Sequence, residues 1–267
     1  MMANCKLTKC INRRDNFMKK IKFVILSVFI LLSLVACAQK QITHHWKYEG
    51  EHGPKHWENL NPEFFLCGNG IAQSPININK TYKAALSHIE FTYKDTPLKI
   101  VNNGHTIKVK YKPGSSITID GEPHELLQFH FHTPSEHRVE GETHDMEVHL
   151  VHQNEYYELA VVGVFIKKGD HHHAIQTLCN NLPEEIGKEI EVNTIGINAA
   201  DLLPDDRTYY RYFGSFTTPP CTEGVNWHVL KTPIEMSEVQ IEKFKTIVGY
   251  NSRPVQPVNK RFILESL

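Results

Sequence analysis

Three runs of 7 to 9 residues, Leu126–His132, Glu147–Gln153 and Leu159–Lys167, do most to limit what this chain can fold into. They are too short and too rich in β-branched and aromatic residues for ordinary helices, and they read as strands. In a strand, alternate side chains face the same side. Gln128, His130 and His132 then share one face, with Phe129 and Phe131 on the other. Glu147, His149 and Val151 share a face opposite Val148 and Leu150. Lys99–Lys110 alternates in part, with Ile107 and Val109 on one face, and Ser116–Asp120 is a further β-branched run. Pro113-Gly114 and Asp120-Gly121 mark turns between these segments. Helical pattern is confined to Ala174–Asn180, Glu184–Glu189 and Ser237–Val248. In the last, Ser237 and Gln240 have the spacing of a capping box. The expected fold is mainly β and mostly antiparallel, with peripheral helices.

The N-terminal stretch is of a different kind. Met18-Lys19-Lys20-Ile21-Lys22 precedes an apolar run, Phe23–Ala36, of 14 residues, the length of a signal-peptide core and short for a bilayer span. Leu34-Val35-Ala36-Cys37 reads as a bacterial lipobox, in which Cys37 would be acylated; the alternative is ordinary cleavage after Ala36-Cys37-Ala38. Residues 1–37 are therefore expected to be a leader, with Met18 a credible true start. Residues 38–43 are expected to be a tether and 44–267 a single domain without linkers, repeats or low-complexity segments. The expected location is the periplasm, or the outer membrane through a lipid on Cys37. Removing residues 1–36 takes away seven basic residues and one acid, leaving 22 against 29 and a net charge of −7. With no basic stripe carrying interleaved aromatics, nucleic acid is not an expected partner. In an oxidising compartment, two of Cys67, Cys179 and Cys221 should pair, and spacing alone does not choose which.

Pairing the strands that carry His130, His132 and His149 would bring three imidazoles together. Three neutral nitrogen ligands leave a fourth tetrahedral position open on Zn²⁺, as catalytic zinc requires. Gln128 and Glu147 sit two residues away on the same faces, where each can accept an imidazole N–H. With 17 histidines in the chain, an H-x-H pair alone is weak evidence. His171-His172-His173 reads as an exposed loop. His124-Glu125-Leu126-Leu127-Gln128 begins like the H-E-x-x-H metalloprotease motif but ends in Gln, and Gly68-Asn69-Gly70 lacks the rest of a dinucleotide fingerprint.

From His45-Trp46-Lys47-Tyr48 onward the sequence resembles the alpha-class carbonic anhydrases over essentially its whole mature length. The resemblance runs through Gln73-Ser74-Pro75-Ile76-Asn77, Asn102-Asn103-Gly104-His105, Gln128–His132, Ser135-Glu136-His137, Glu147–His152, Ser215–Cys221 and Asn251–Pro257. It implies a single domain on a large twisted, mostly antiparallel sheet of about ten strands, with one zinc in a conical cleft. It also implies reversible hydration of CO₂ to bicarbonate and a proton by attack of zinc-bound hydroxide. Lowering of the bound water's pKa to about 7 is an established property of carbonic anhydrases as a class.

The same resemblance assigns roles. His130, His132 and His149 would hold zinc, with Gln128, Glu147 and Asn251 behind them. Thr217 would accept the hydroxide proton and donate its own to Glu136. Val151, Val161, Phe216, Thr218, Val225 and Trp227 would line the substrate pocket. His105 would shuttle protons, a task suited to a group whose ordinary pKa is about 6.5, with Tyr48, Asn103 and Lys108 along the water path. By sequence context alone, His105 and Thr217 are turn residues. The resemblance further implies a Cys67–Cys221 disulfide, leaving Cys179 buried and inert. Phe216 stands where leucine is more usual, Lys108 where a neutral polar residue is frequent, and Ser252 where an aromatic is common. Phe216 would narrow the CO₂ pocket. The alternatives are a carbonic anhydrase-like binding protein without catalysis, a zinc esterase, and a histidine-rich zinc buffer. The expected assembly is a monomer or homodimer.

Overall fold

The structure, a computed structural model, describes residues 45–267, which form one compact unit. The leader, Met18, Cys37 and the tether lie outside the described residues. In chain order the strands are β1 (Asn77–Ile78), β2 (Tyr82–Ala84), β3 (Glu90–Thr92), β4 (Thr96–Asn102), β5 (Ile107–Lys110), β6 (Ser116–Ile119) and β7 (Glu122–His132). They continue with β8 (Arg138–Val139), β9 (Met146–Gln153), β10 (Leu159–Lys168), β11 (Glu189–Ile197), β12 (Tyr209–Ser215), β13 (Glu223–Met236) and β14 (Leu264–Ser266). Twelve of them form one sheet in the order β11-β4-β5-β7-β9-β10-β13-β12-β14-β2, with β6 joining β3 to β7. The pairings are antiparallel except β10–β13 and β14–β2. Two strands, β1 and β8, pair separately.

The centre of the sheet follows from the apolar alternation. Between β7 and β10, β9 has every residue but the last buried. Val148 and Leu150 pack with Phe129 and Phe131 of β7 in the main core, and Phe131 meets Phe244 of the helix Glu238–Val248 at 4.7 Å between ring centroids. Burying side chains of this size stabilises a fold by about 1.5–3 kcal/mol each. The opposite faces of the same strands carry the histidines. Gly163 of β10 lies opposite His149, and a Cβ there would come within 2.9 Å of Glu147 Oε1, so glycine is what lets the carboxylate sit against the strand.

The Ser237–Gln240 capping box forms, and a helix spans His173–Cys179. Two expectations need correction. Glu184–Glu189 is not helical: Gly187 has φ +83°, its N–H donates to Asn102 O at 2.7 Å, and β11 begins at Glu189. Lys99–Lys110 is not one run but β4 and β5, because Asn103 Oδ1 accepts from the N–H groups of His105 and Thr106 and closes a turn through Gly104 at φ +84°. The large, mostly antiparallel sheet expected from the resemblance is present, with ten strands along its main path and β3 and β6 completing twelve.

The Cys67–Cys221 disulfide is present, closing a sequence separation of 154 residues. Cys179 is free and buried, and burial pushes its thiol up to about 11. No helix among the described residues is long and apolar enough to cross a membrane.

Candidate active site

Antiparallel register sets His130 of β7 directly opposite His149 of β9, and β5 places Lys108 on the other flank of His130. A register shift between Leu126 and Gln128 precedes the histidines; irregularities of this kind re-aim the side chains that follow. Ring centroids lie 5.0 Å apart for His130–His132, 5.4 Å for His130–His149 and 4.6 Å for His132–His149. One nitrogen from each ring lies within 4.8 Å of the other two.

Each imidazole is held from behind by a different acceptor. His130 Nδ1 meets Gln128 Oε1 at 2.9 Å, His132 Nδ1 the Asn251 carbonyl at 2.8 Å, and His149 Nε2 Glu147 Oε1 at 2.8 Å. The inward nitrogens are thereby fixed as Nε2, Nε2 and Nδ1. Burial lowers the pKa of all three rings, His132 to about 4, so they are neutral donors at neutral pH. Glu147 is fully buried, and its carboxylate also accepts from the N–H groups of Glu136 and His137 and from His137 Nδ1. Burial opposes its charge, but His137 and His149 outweigh this and hold it well below the usual carboxylate range.

Glu136 is set differently. Burial pushes its carboxyl up to about 7 against the pull of His149, the Arg253 N–H and the Thr217 hydroxyl. Oε1 accepts from Arg253 N at 2.8 Å, while Oε2 points at the histidines, 3.5 Å from His132 Nε2 and 3.9 Å from His149 Nδ1. Buried His132 Nε2 and Glu136 Oε2 have no hydrogen-bond partner among the described residues. Orphaned polar atoms converging on one spot are what a cation would satisfy, and three neutral imidazoles suit zinc.

The cleft above this centre has a volume of about 170 Å³. Its lining includes the apolar Val151, Val161, Phe216 and Trp227, the polar Tyr48, Asn103, His105, Lys108 and Gln128, and Thr217 and Thr218 together with the three histidines. Val225 is fully buried and packs with Val151, Val161 and Trp227 in one apolar cluster. His105 stacks on Trp46, with centroids 3.7 Å apart and planes at 8°, and burial together with His45 lowers its pKa. Asn251 spans the distance between the histidines and this turn: its side-chain amide donates to His105 O at 3.0 Å and Phe131 O at 2.9 Å.

Sequence reasoning missed three supporting residues. Tyr212 takes its place through its hydroxyl, which shares hydrogen bonds with His137 Nε2 (2.6 Å) and Ser74 Oγ (2.8 Å). His137, in the motif with Glu136, carried no assigned role. Arg253 buries its guanidinium and donates to Gln73 Oε1 and to the carbonyls of Ser74 and Cys67. Nothing in local periodicity marks these residues, because their partners are far away in sequence. A larger cavity of about 580 Å³, bordered by His171, His172, His173 and Asp201, lies elsewhere. Its histidines are not among the described groups of three or more mutually close ligands; His172 caps the helix that follows.

A mainly β domain in which three neutral imidazoles converge at the base of one cleft presents a histidine triad capable of binding a metal ion. Residues 52–267 match the family model described as eukaryotic-type carbonic anhydrase. A carbonic anhydrase of Klebsiella pneumoniae is 45% identical over 239 residues, 88% of this chain and 96% of that protein. The structure of an alpha-carbonic anhydrase from Thermovibrio ammonificans, in complex with the inhibitor sulfanilamide, superposes with a TM-score of 0.80 at 45% identity. That alignment covers 82% of this chain and 98% of the other. A hyperthermostable carbonic anhydrase from a hydrothermal vent chimney gives 0.81 at 48% identity, covering 84% and 100%. The chain belongs to the alpha carbonic anhydrase family and is an enzyme of that class.

Proposed function

We propose that this enzyme catalyses reversible hydration of CO₂ to bicarbonate and a proton, using one zinc ion held by His130, His132 and His149. The observation that carries this is the set of three neutral, inward-facing imidazoles, each fixed by its own acceptor. Zinc bound there would supply Lewis acidity, making a hydroxide nucleophile available near neutral pH.

The chain's own residues supply orientation and proton movement. Thr217, beside Glu136 at the cleft, would direct its hydroxyl proton to the carboxylate and so keep the threonine oxygen as an acceptor toward the cleft. Thr218 and the wall of Val151, Val161, Phe216 and Trp227, with Val225 behind it, would hold an apolar substrate and exclude water. His105 carries protons between cleft and solvent, and its stacking on Trp46 holds it at the mouth. Tyr48, Asn103 and Lys108 border that path. Gln128, Glu147 and Asn251 set the tautomers of the zinc-binding rings, a task on which metal affinity depends about 10–100-fold.

Export is proposed with this activity: the disulfide supports an oxidising compartment, and the segment 1–37 would be the leader. Intact mass of membrane-extracted protein distinguishes acylated Cys37 from a chain beginning after Ala38.

Stopped-flow CO₂ hydration by the purified protein, beside a His132→Ala variant with zinc measured on both, tests the proposal. Fast hydration with one zinc per chain, sensitive to sulfanilamide, is expected. The variant should lose more than about 100-fold in activity and most of its zinc, as expected when one of three metal ligands is removed. A folded, zinc-loaded parent with no hydration would sink the assignment.

A further inference from the structure

Among the residues lining the cleft, Lys108 is the one ammonium group; the carboxylates of Glu136 and Glu147 are fully buried and are not part of that lining, although Glu136 Oε2 lies 3.5 Å from His132 Nε2. The position of Lys108 is fixed by the sheet, since it stands across from His130 in the β5–β7 pair, where neighbouring side chains on one face start close together. The lysines around it are already paired. Lys99 meets Glu189 at 3.0 Å and Glu191 at 3.2 Å, and Lys110 also binds Glu189. Among the described residues, no carboxylate lies within ion-pair distance of Lys108. The side chain is half-buried, and burial with the neighbouring charge of Lys110 lowers its pKa. It is thus a partly desolvated cation with no counter-charge, facing the site of chemistry.

We propose that Lys108 makes this wall an anion subsite, which holds bicarbonate, and competing small monoanions, beside the three-histidine centre. The proposal rests on the CO₂-hydration reading. CO₂ carries no net charge and gains little from an ammonium, whereas bicarbonate gains a charge–charge attraction strengthened by the poorly solvated wall. Lys108 therefore separates product from substrate in binding. The ratio of kcat/KM in the two directions is fixed by the equilibrium constant of the reaction, so the subsite is read in binding constants and not in that ratio.

The test uses the zinc-loaded enzyme, with thiocyanate and bicarbonate as probes, and compares the parent with K108Q, K108R and K110Q. Thiocyanate affinity is measured by calorimetry, and bicarbonate affinity as product inhibition of CO₂ hydration. In K108Q both constants should weaken about five- to tenfold, a tenfold change corresponding to about 1.4 kcal/mol. K108R should stay within about twofold of the parent because it keeps the charge. K110Q should do the same because Glu189 already counters that lysine. Thiocyanate affinity unchanged in K108Q, equal weakening in K110Q, or no thiocyanate binding by the parent would each overturn the subsite. A parent that binds thiocyanate through Lys108 but hydrates no CO₂ would instead remove the hydration reading and leave the anion site standing.

Discussion

At the scale of single residues, burial decides which histidines can act. His130, His132 and His149 are buried with an acceptor behind each ring, whereas His228 is buried with neither ring nitrogen hydrogen-bonded. Burial, then Arg211, His152 and His124, push His228 down to about 3, with Asp120 pulling the other way. In the unfolded chain an imidazole titrates near 6.5. Below that pH the unfolded state takes up a proton that the folded state refuses, so this stability is present above pH ~6.5 and is lost as pH falls toward 3. Buried His152, also lowered to about 3, adds a loss of the same sign. His228→Leu is expected to flatten the acid limb, removing about 2 kcal/mol of the loss between pH 7 and pH 5. Urea titrations of parent and variant at both pH values check this, and parallel pH slopes would rule it out.

At the scale of elements, what could be read from sequence divides along a physical line. β7, β9 and β10 are legible because one or both faces are apolar, even though a register shift between Leu126 and Gln128 interrupts the period of β7. β13 is not: polar Asn226 and His228 interrupt it, and Thr232-Pro233 lies inside it. Its place between β10 and β12 is set by pairing on both edges, which sequence alone does not display. The site divides in the same way. The three histidines follow from alternation, but the acceptor for His132 is a backbone carbonyl 119 positions away, and no side-chain pattern can announce that. Capping is the opposite case, local and therefore legible. Ser237 Oγ accepts from Gln240 N, and Gln240 Oε1 accepts from Ser237 N at 3.1 Å. Ser237→Ala should cost about 1 kcal/mol of stability and leave CO₂ hydration unchanged. Thermal melts and stopped-flow rates on the same preparation would show otherwise if cap and site were coupled, since Gln240 also donates to the carbonyl of His172.

At the scale of the whole molecule, the disulfide and the C-terminal segment tie the cleft together. Cys67–Cys221 closes 154 residues of chain, and the carbonyl of Cys67 accepts from Arg253, whose N–H in turn holds Glu136. Replacing both cysteines with serine should lower unfolding free energy by about 2–5 kcal/mol through the freed unfolded state. Denaturant unfolding of the double variant, against the parent with and without reductant, measures it; no difference in either comparison would refute the prediction. The hub formed by Asn251 has a further consequence, for biosynthesis. A chain grows from its N-terminus, so the three histidines emerge long before residue 251. A nascent or prematurely stopped chain ending short of that residue would present imidazoles with nothing behind His132 and nothing tying the His105 turn to them. The catalytic centre is therefore among the last parts of the molecule to become correct, and metal offered during synthesis would meet an incompletely ordered set of ligands.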